Sequence, residues 1–288
     1  MKIPVSALVH TLNEEKNIKN CLECVSWADD IVVIDMHSED KTVEIAKQYT
    51  DNVFLHERLQ YADPARQFGL NQAKHEWVLV VDADELVPVK LRDRLLDIMR
   101  SEEYDAVSIP HCNYFFGHAM IGAGWGALQD KHVRFYRKQF MTYGTKVHGF
   151  AQLNSAARVY EIKEEDCAFI HFNYIDPEQF VEKLNRYTTI EAENAWDAHE
   201  PLNRARVVRR IIREITKRFI KKKGYKDGFQ GFLLACLMAG YQASAALKRL
   251  LIEKYQTKDV REKILQEYSL IAQQEIEKYK IDDGIKAD

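Results

Sequence analysis

The stretch Trp77-Val78-Leu79-Val80-Val81-Asp82-Ala83-Asp84-Glu85 runs apolar for five residues and then stops at acids. Three of the five apolar residues are Val, and the run has no alternation. This predicts a parallel strand covered on both faces, since a strand with one wet face would alternate. The acids then sit at its carboxyl end. In an open α/β sheet that end faces the ligand crevice rather than the core. Asp82 and Asp84 are two residues apart, and carboxylate oxygens suit hard cations such as Mg²⁺ or Mn²⁺ that are shared with substrate phosphates. A second reading gives the acids to the start of the helix near Pro88, because acids are favourable at helix N-termini.

Working outward, the chain repeats one design. Ile3 to His10 reads as a strand, and Asn13-Glu14-Glu15 opens a helix through about Val25. Ile31 to Ile34 is a strand ending in Asp35, followed by the cap residues Ser38 and Asp40 and a helix to about Tyr49. A short strand over Asn52 to Leu55 and a helix from Asp63 to Ala73 lead into the Trp77 strand. Strands alternating with helices mean βαβ units and a parallel sheet. Three strand ends therefore bring polar residues to one sheet edge: Thr11 and Asn13, Asp35 and Ser38, Asp82 and Asp84. The layout suits a nucleotide, but there is no Gly-x-x-x-x-Gly-Lys run and no Gly-x-Gly-x-x-Gly after the first strand. A divalent metal on the acids would supply the missing phosphate partner.

Beyond this half the pattern changes. Ala106 to Ile109 and His132 to Arg137 read as strands, and Asn113 to Gly126, rich in aromatics and glycine, as an irregular acceptor-side loop. Gly122-Ala123-Gly124-Trp125-Gly126 is discounted as a dinucleotide loop because no periodic helix follows it. Lys146-Val147-His148-Gly149 follows a turn, and Ala168 to Ile170 is a strand ending in His171. Both His148 and His171 are candidate metal ligands. From Pro177 the chain is helical, in segments Pro177–Asp197, Pro201–Lys223, Gly228–Tyr255 and Lys258–Lys280. Arg204 to Lys223 holds ten Lys or Arg and one acid, with Val208, Ile212 and Phe219 among the apolar residues at helical spacing. Such a basic amphipathic helix points to an anionic membrane surface, against the plainer reading of a solvated face on a packed helix. Gly228 to Leu247 has no charged residue, but its Gln, Ser and Gly content predicts an interfacial or buried helix rather than a span.

Composition sets outer limits. At 288 residues and a net charge of −3, the chain has room for a large core and nucleic acid is not its expected partner. Five scattered cysteines do not make a disulfide scaffold, and Cys21-x-x-Cys24 lies in a helical pattern with no second pair, against a redox or zinc role. The sequence passes from Met1-Lys2 straight into a strand, so secretion is not expected and the protein reads as cytoplasmic.

Thr11-Leu12-Asn13-Glu14-Glu15, Ile34-Asp35-Met36-His37-Ser38-Glu39-Asp40-Lys41-Thr42, Ala65-Arg66-Gln67-Phe68-Gly69-Leu70 and Asp82-Ala83-Asp84-Glu85 together resemble, in order and spacing, the motifs of family 2 glycosyltransferases. Within that family the chain resembles the lipopolysaccharide-core β-glucosyltransferases of the WaaE type, with Gly224-Tyr225-Lys226-Asp227-Gly228-Phe229 as the less diagnostic tail motif. The resemblance covers residues 3–175. It implies a GT-A fold over 1–175, ahead of the helical region over 176–288, with a nucleotide-sugar donor, a divalent metal and inversion at the anomeric carbon. Asp35 and the Thr11-Leu12-Asn13 turn suggest a UDP-hexose as that donor, and the basic Arg204–Lys223 helix suggests that 176–288 is membrane-associated, at the inner face of the cytoplasmic membrane, where a saccharide or lipid-linked acceptor would be presented. Thr11, Asn13, Glu14 and Ser38 would line the nucleotide pocket, Asp35 would lie near the base or ribose, and Arg66 beside the donor. Asp82 would approach ribose or metal, and Asp84 would be the principal metal ligand. His148 stands where relatives have Val-His-Glu, with Gly149 replacing the acid. Glu165-Asp166 precedes a strand and reads as a turn rather than the family's base pair; Asp130, after the Trp125 loop and before the Arg134 strand, is the expected base. Two other functions use parts of the same pattern: a two-carboxylate glycosidase, and a non-catalytic, membrane-associated carbohydrate-binding module.

Overall fold

A computed structural model describes residues 3–58, 63–144 and 151–285. The chain forms two compact units, Met1–Asp176 with Lys222–Asp227, and Pro177–Lys221 with Gly228–Asp288.

The first unit begins with β1 (Val5–Thr11), α1 (Ile18–Cys24), β2 (Asp30–Asp35), α2 (Thr42–Ala46), β3 (Val53–Leu55), α3 (Asp63–Gln72) and β4 (Trp77–Asp82). The four strands pair in parallel in the order β3-β2-β1-β4. The order reverses beside β1, which creates the crevice where open α/β sheets bind ligands. Both faces of the sheet are covered, as the unbroken apolar runs require. Trp77, Leu79 and Val81 enter one core with Val5, Ala7 and Val9, while Val78 and Val80 enter another with Leu8 and Ile34. Gly69 of α3 permits the close approach on that second side. A Cβ there would lie 2.5 Å from a Leu8 methyl.

The rest of the first unit comprises β5 (Glu85–Leu86), α4 (Val89–Ser101), β6 (Ala106–Phe115), β7 (His118–Ala119), β8 (Lys131–Arg137), β9 (Met141–Thr142), β10 (Gln152–Leu153), β11 (Val159–Glu161) and β12 (Phe169–Tyr174). β8 pairs antiparallel with both β4 and β6, and β12 continues the sheet. Stacking of Trp77 on Phe135, with ring centroids 4.6 Å apart, fixes the β4–β8 contact. Three readings change here. Asn113 to Phe115 belong to strand β6 rather than to a loop, because they find partners in β12 and in the short strand β7. The acids after β4 do not cap α4, since Pro88 holds the cap position and no acid lies in the helix's first turn. The first helix also starts later than its pattern suggested. Asn13 adopts a left-handed φ of 56°, and the amides of Glu14 and Glu15 donate to side chains of the 35–42 loop instead of opening a helix.

The second unit contains α5 (Pro177–Asp197), α6 (Arg204–Ile215), α7 (Gly228–Tyr255) and α8 (Val260–Ile285). Asn203 starts α6 by accepting from the Arg206 amide at 2.9 Å, and the helix continues as a π-helical turn over Thr216–Lys221. The expected Pro201–Lys223 helix is therefore shorter, since Lys222 onward leaves it for the first unit. In α7, the small residues Gly231, Ala235 and Ala239 recur every four positions on the buried side. Lys248 closes the packing by donating to Asn185 and Thr188 of α5. Among the described residues no helix is long and apolar enough to cross a membrane.

Candidate active site

Pairing register brings the three polar strand ends together. Thr11 lies opposite Asp35, and His10 lies opposite Asp82. Above them, side chains zip the 11–15 and 35–42 loops. The Asn13 amide donates to Ser38 Oγ at 2.8 Å, and the Glu39 amide donates to Asn13 Oδ1 at 2.8 Å. The fully buried Asp35 spends both oxygens on Ser38, accepting from its amide at 2.9 Å and its hydroxyl at 2.5 Å. Asp35, Ser38 and Asn13 thus form one frame. Asp35 is its base, not an open contact. Glu14 belongs to it as well, with its amide on Thr42 and its carboxylate accepting from Asn17. The Thr11 hydroxyl is buried with no hydrogen-bond partner among the described residues.

Asp82 and Asp84 differ sharply in their surroundings. Arg66 Nη2 donates to both oxygens of Asp82, at 3.1 and 3.0 Å, and Arg134 Nη2 adds a bond of 2.8 Å. Burial works against ionisation of Asp82, but the two guanidiniums outweigh it and hold the carboxyl well below its usual range. Glu85 is fully buried beneath this cluster. It accepts from the Asp82 amide at 2.8 Å and lies 3.2 Å from His111 Nε2 and 3.7 Å from Arg134. Burial and the neighbouring Arg66 keep His10 neutral, its pKa lowered to about 3.

Asp84 faces His171, with Oδ2 and Nε2 3.5 Å apart. A chain of side chains orients that imidazole. Asn113 Nδ2 donates to the Asp130 carboxylate at 2.8 Å and to the Trp125 carbonyl at 3.0 Å, both pure acceptors. This fixes the amide, so Asn113 Oδ1 must be the acceptor for His171 Nδ1 at 2.8 Å. A histidine whose Nδ1–H is spent on a carbonyl presents Nε2 as its free base, the usual preparation of a metal-binding imidazole. Burial alone would push His171 down, but Asp84 and its acidic neighbours raise it above the ordinary histidine value, so the same negative surroundings favour a proton on Nε2 and a cation that would take that proton's place. A carboxylate and an imidazole make an oxygen and nitrogen donor pair suited to Mn²⁺ and, less well, to Mg²⁺. Among the described residues no group of three or more His, Cys, Asp and Glu could hold a metal by itself. The pair therefore fits a cation that takes its remaining ligands from substrate phosphate and water.

Asp130 is not disposed as a free base. Its Oδ2 accepts from Asn113, and its Oδ1 lies 2.9 Å from His132 Nε2. Burial is outweighed by these two partners, and its pKa falls to about 2. A base acting near neutrality needs a far higher value. The geometry instead makes Asp130 the support of the exposed His132. The other expected ligand, His148, lies outside the described residues.

Four participants were given no role by sequence reasoning. Arg134 and Asn113 carry no motif of their own, only the alternation of β8 hinting that Arg134 shares a face, and Glu85 stands in the acidic motif without a task assigned to it. The fourth is Asp227, of the tail motif. Its buried carboxylate accepts from the amides of Ile121 and Gly122 at 2.7 and 2.8 Å and lies 3.1 Å from His118 Nε2. Gly122 is glycine for this contact, because a Cβ there would lie 2.2 Å from the Lys223 carbonyl. The glycines of the 122–126 loop thus serve chain approach, and the loop they shape delivers the Trp125 carbonyl to Asn113.

A parallel half with an acidic pair at a strand end, extended by antiparallel strands, is the α/β class of architecture that places ligands beyond its strand ends. The family model for glycosyl transferase family 2 matches residues 6–160, and the chain belongs to that family. It is a glycosyltransferase with the GT-A architecture. An uncharacterised glycosyltransferase of Rickettsia bellii is 25% identical over 245 residues, covering 82% of each chain. The lipopolysaccharide core biosynthesis glycosyltransferase LpsC of Rhizobium meliloti is 24% identical over 258 residues, covering 86% of this chain and 92% of LpsC. Among solved structures, the mannosyltransferase PcManGT of Pyrobaculum calidifontis, in complex with GDP-Man and Mn²⁺, is 15% identical with a TM-score of 0.49, covering 87% of this chain and 88% of that one.

Proposed function

We propose that the protein transfers a hexose from a nucleotide-diphosphate donor, a UDP-sugar, to a saccharide acceptor of a cell-surface glycan such as a lipopolysaccharide core, with inversion. The observation that carries the proposal is the division of labour at the end of β4: two arginines occupy Asp82, while Asp84 and the oriented His171 face each other at 3.5 Å. Similarity to LpsC and to the core β-glucosyltransferases supports the acceptor class. The framed loops of Asn13, Glu14 and Ser38, with Asp35 beneath them and Thr11 at the strand end, would receive the nucleoside. Asp84 and His171 would hold Mg²⁺ or Mn²⁺, which when bound offsets charge on the departing diphosphate.

The chain's own residues account for the remaining requirements. Arg66 and Arg134, anchored by Asp82, place positive charge beside the leaving group without reorganising. The acceptor hydroxyl attacks the anomeric carbon as the bond to the diphosphate oxygen breaks. Its proton passes to His132, which Asp130 holds by the opposite ring nitrogen. Direct displacement on one face inverts the centre.

Incubation with UDP- and GDP-hexoses and a core oligosaccharide acceptor tests the reading. Release of UDP with a new glycosidic bond, lost in excess chelator and reduced at least about a hundredfold in Asp84→Asn, is the expected result. Full turnover in excess chelator, or glycan hydrolysis without any nucleotide sugar, would overturn it.

A further inference from the structure

The second unit carries a surface that sugar transfer does not use. From Arg204 to Lys221, along α6 and its π-helical turn, eight Lys or Arg accompany a single acid, Glu214. That acid is buried and already engaged, by Arg218 at 2.7 Å and Lys217 at 3.7 Å. Arg204, Arg206, Arg209, Arg210 and Arg213 are exposed, and among the described residues none of them has an ion-pair partner. Arg206 and Arg210, and Arg209 and Arg213, are like-charged neighbours one helical turn apart, an arrangement that costs stability when nothing balances it.

Large apolar side chains stand among these charges. Val208, Ile212 and Ile220, spaced four and eight positions apart, are 56%, 62% and 61% exposed. Phe229 of α7 is 73% exposed, and its ring stacks on Phe232, which meets Phe219 edge-on at 5.6 Å. The aromatic cluster thereby joins the α7 patch to the α6 stripe. A face meant only for water would not expose Phe and Ile at this density. A protein partner covering it would have to supply acids for five guanidiniums. An anionic bilayer supplies both halves of the match, headgroup phosphates for the arginines and an acyl boundary for Ile212 and Phe229.

We infer that this face docks on an anionic lipid surface, lying in the interface without crossing it. Four guanidiniums in contact would enrich the protein about a thousandfold over bulk solution. Attraction of this kind decays within about 8 Å at physiological ionic strength, so binding falls with salt, leaving an apolar remainder.

Co-sedimentation of the full chain with phosphatidylcholine vesicles, with and without phosphatidylglycerol, tests the inference. The protein should sediment with the anionic vesicles at low salt and stay in solution with the neutral ones. The quadruple variant R206Q/R209Q/R210Q/R213Q should lose that binding at least about a hundredfold while keeping its melting temperature and its transfer to a soluble acceptor. Ile212→Ser with Phe229→Ser should abolish only the salt-resistant part. If the wild-type chain stays in solution with anionic vesicles, or binds polyuridylate but not vesicles, the face is a docking site for another polyanion and the inference fails.

Discussion

Glu85 shows how much of this site is a buried charge balance. Burial pushes its carboxyl up, but Arg134 and His111 outweigh that and bring it from an ordinary 4.5 to about 2. A carboxyl depressed on folding contributes stability that is complete above its ordinary value and disappears as the pH falls through its folded one. Glu85→Gln should therefore lower stability by about 3 kcal/mol at neutral pH, because Arg134 loses a buried partner. The deficit should shrink between pH 4.5 and 2, the interval set by the ordinary and folded values. Urea denaturation across that range checks the sign; a deficit that stays constant would contradict it. At this scale the two acids of Asp82-Ala83-Asp84 were legible, since an apolar run can end in carboxylates only where a strand meets a ligand or solvent. Their division was not. Arg134 reaches Asp82 from a strand 52 positions further along the chain, and nothing local to either residue announces that pairing.

At the level of elements, the 120–126 loop is held from two sides. Asp227 caps the amides of Ile121 and Gly122, and the Trp125 carbonyl at the loop's far end fixes Asn113, which in turn orients His171 and Asp130. Removing the carboxylate leaves the buried Gly122 amide unpaired, at a cost of about 1–3 kcal/mol, and frees the part-buried Ile121 amide as well. Asp227→Ala should accordingly slow transfer about tenfold or more by displacing the groups behind the acceptor, with little change in nucleotide affinity. Steady-state kinetics alongside calorimetry separates the two quantities. Weakened nucleotide binding with unchanged turnover would contradict the clamp. The βα alternation around β1 and the helices α5 and α7 were readable, because period and caps are local signals. The return of 222–227 was not. A hydrogen bond across 106 positions leaves its trace only in Gly122 and in a tail motif whose use is invisible without the fold.

For the whole molecule, the sheet order β3-β2-β1-β4 turns three separated sequence motifs into one edge, and β8, β6 and β12 carry the residues that complete it. That edge was foreseeable from the ends of β1, β2 and β4. Completion by Arg134, Asn113 and His171 depended on antiparallel strands whose pairing has no sequence signature of comparable strength. The account's central claim is that Asp84 and His171 hold a divalent cation only together with the donor's diphosphate. Calorimetric titration of UDP into the wild-type protein and into Asp84→Asn, each with and without Mn²⁺, tests this most directly. Mn²⁺ should tighten UDP binding at least about tenfold in the wild type, a gain of about 1.4 kcal/mol, and should do nothing in the variant. Equal tightening in both proteins, or metal-independent UDP binding in the wild type, would contradict it.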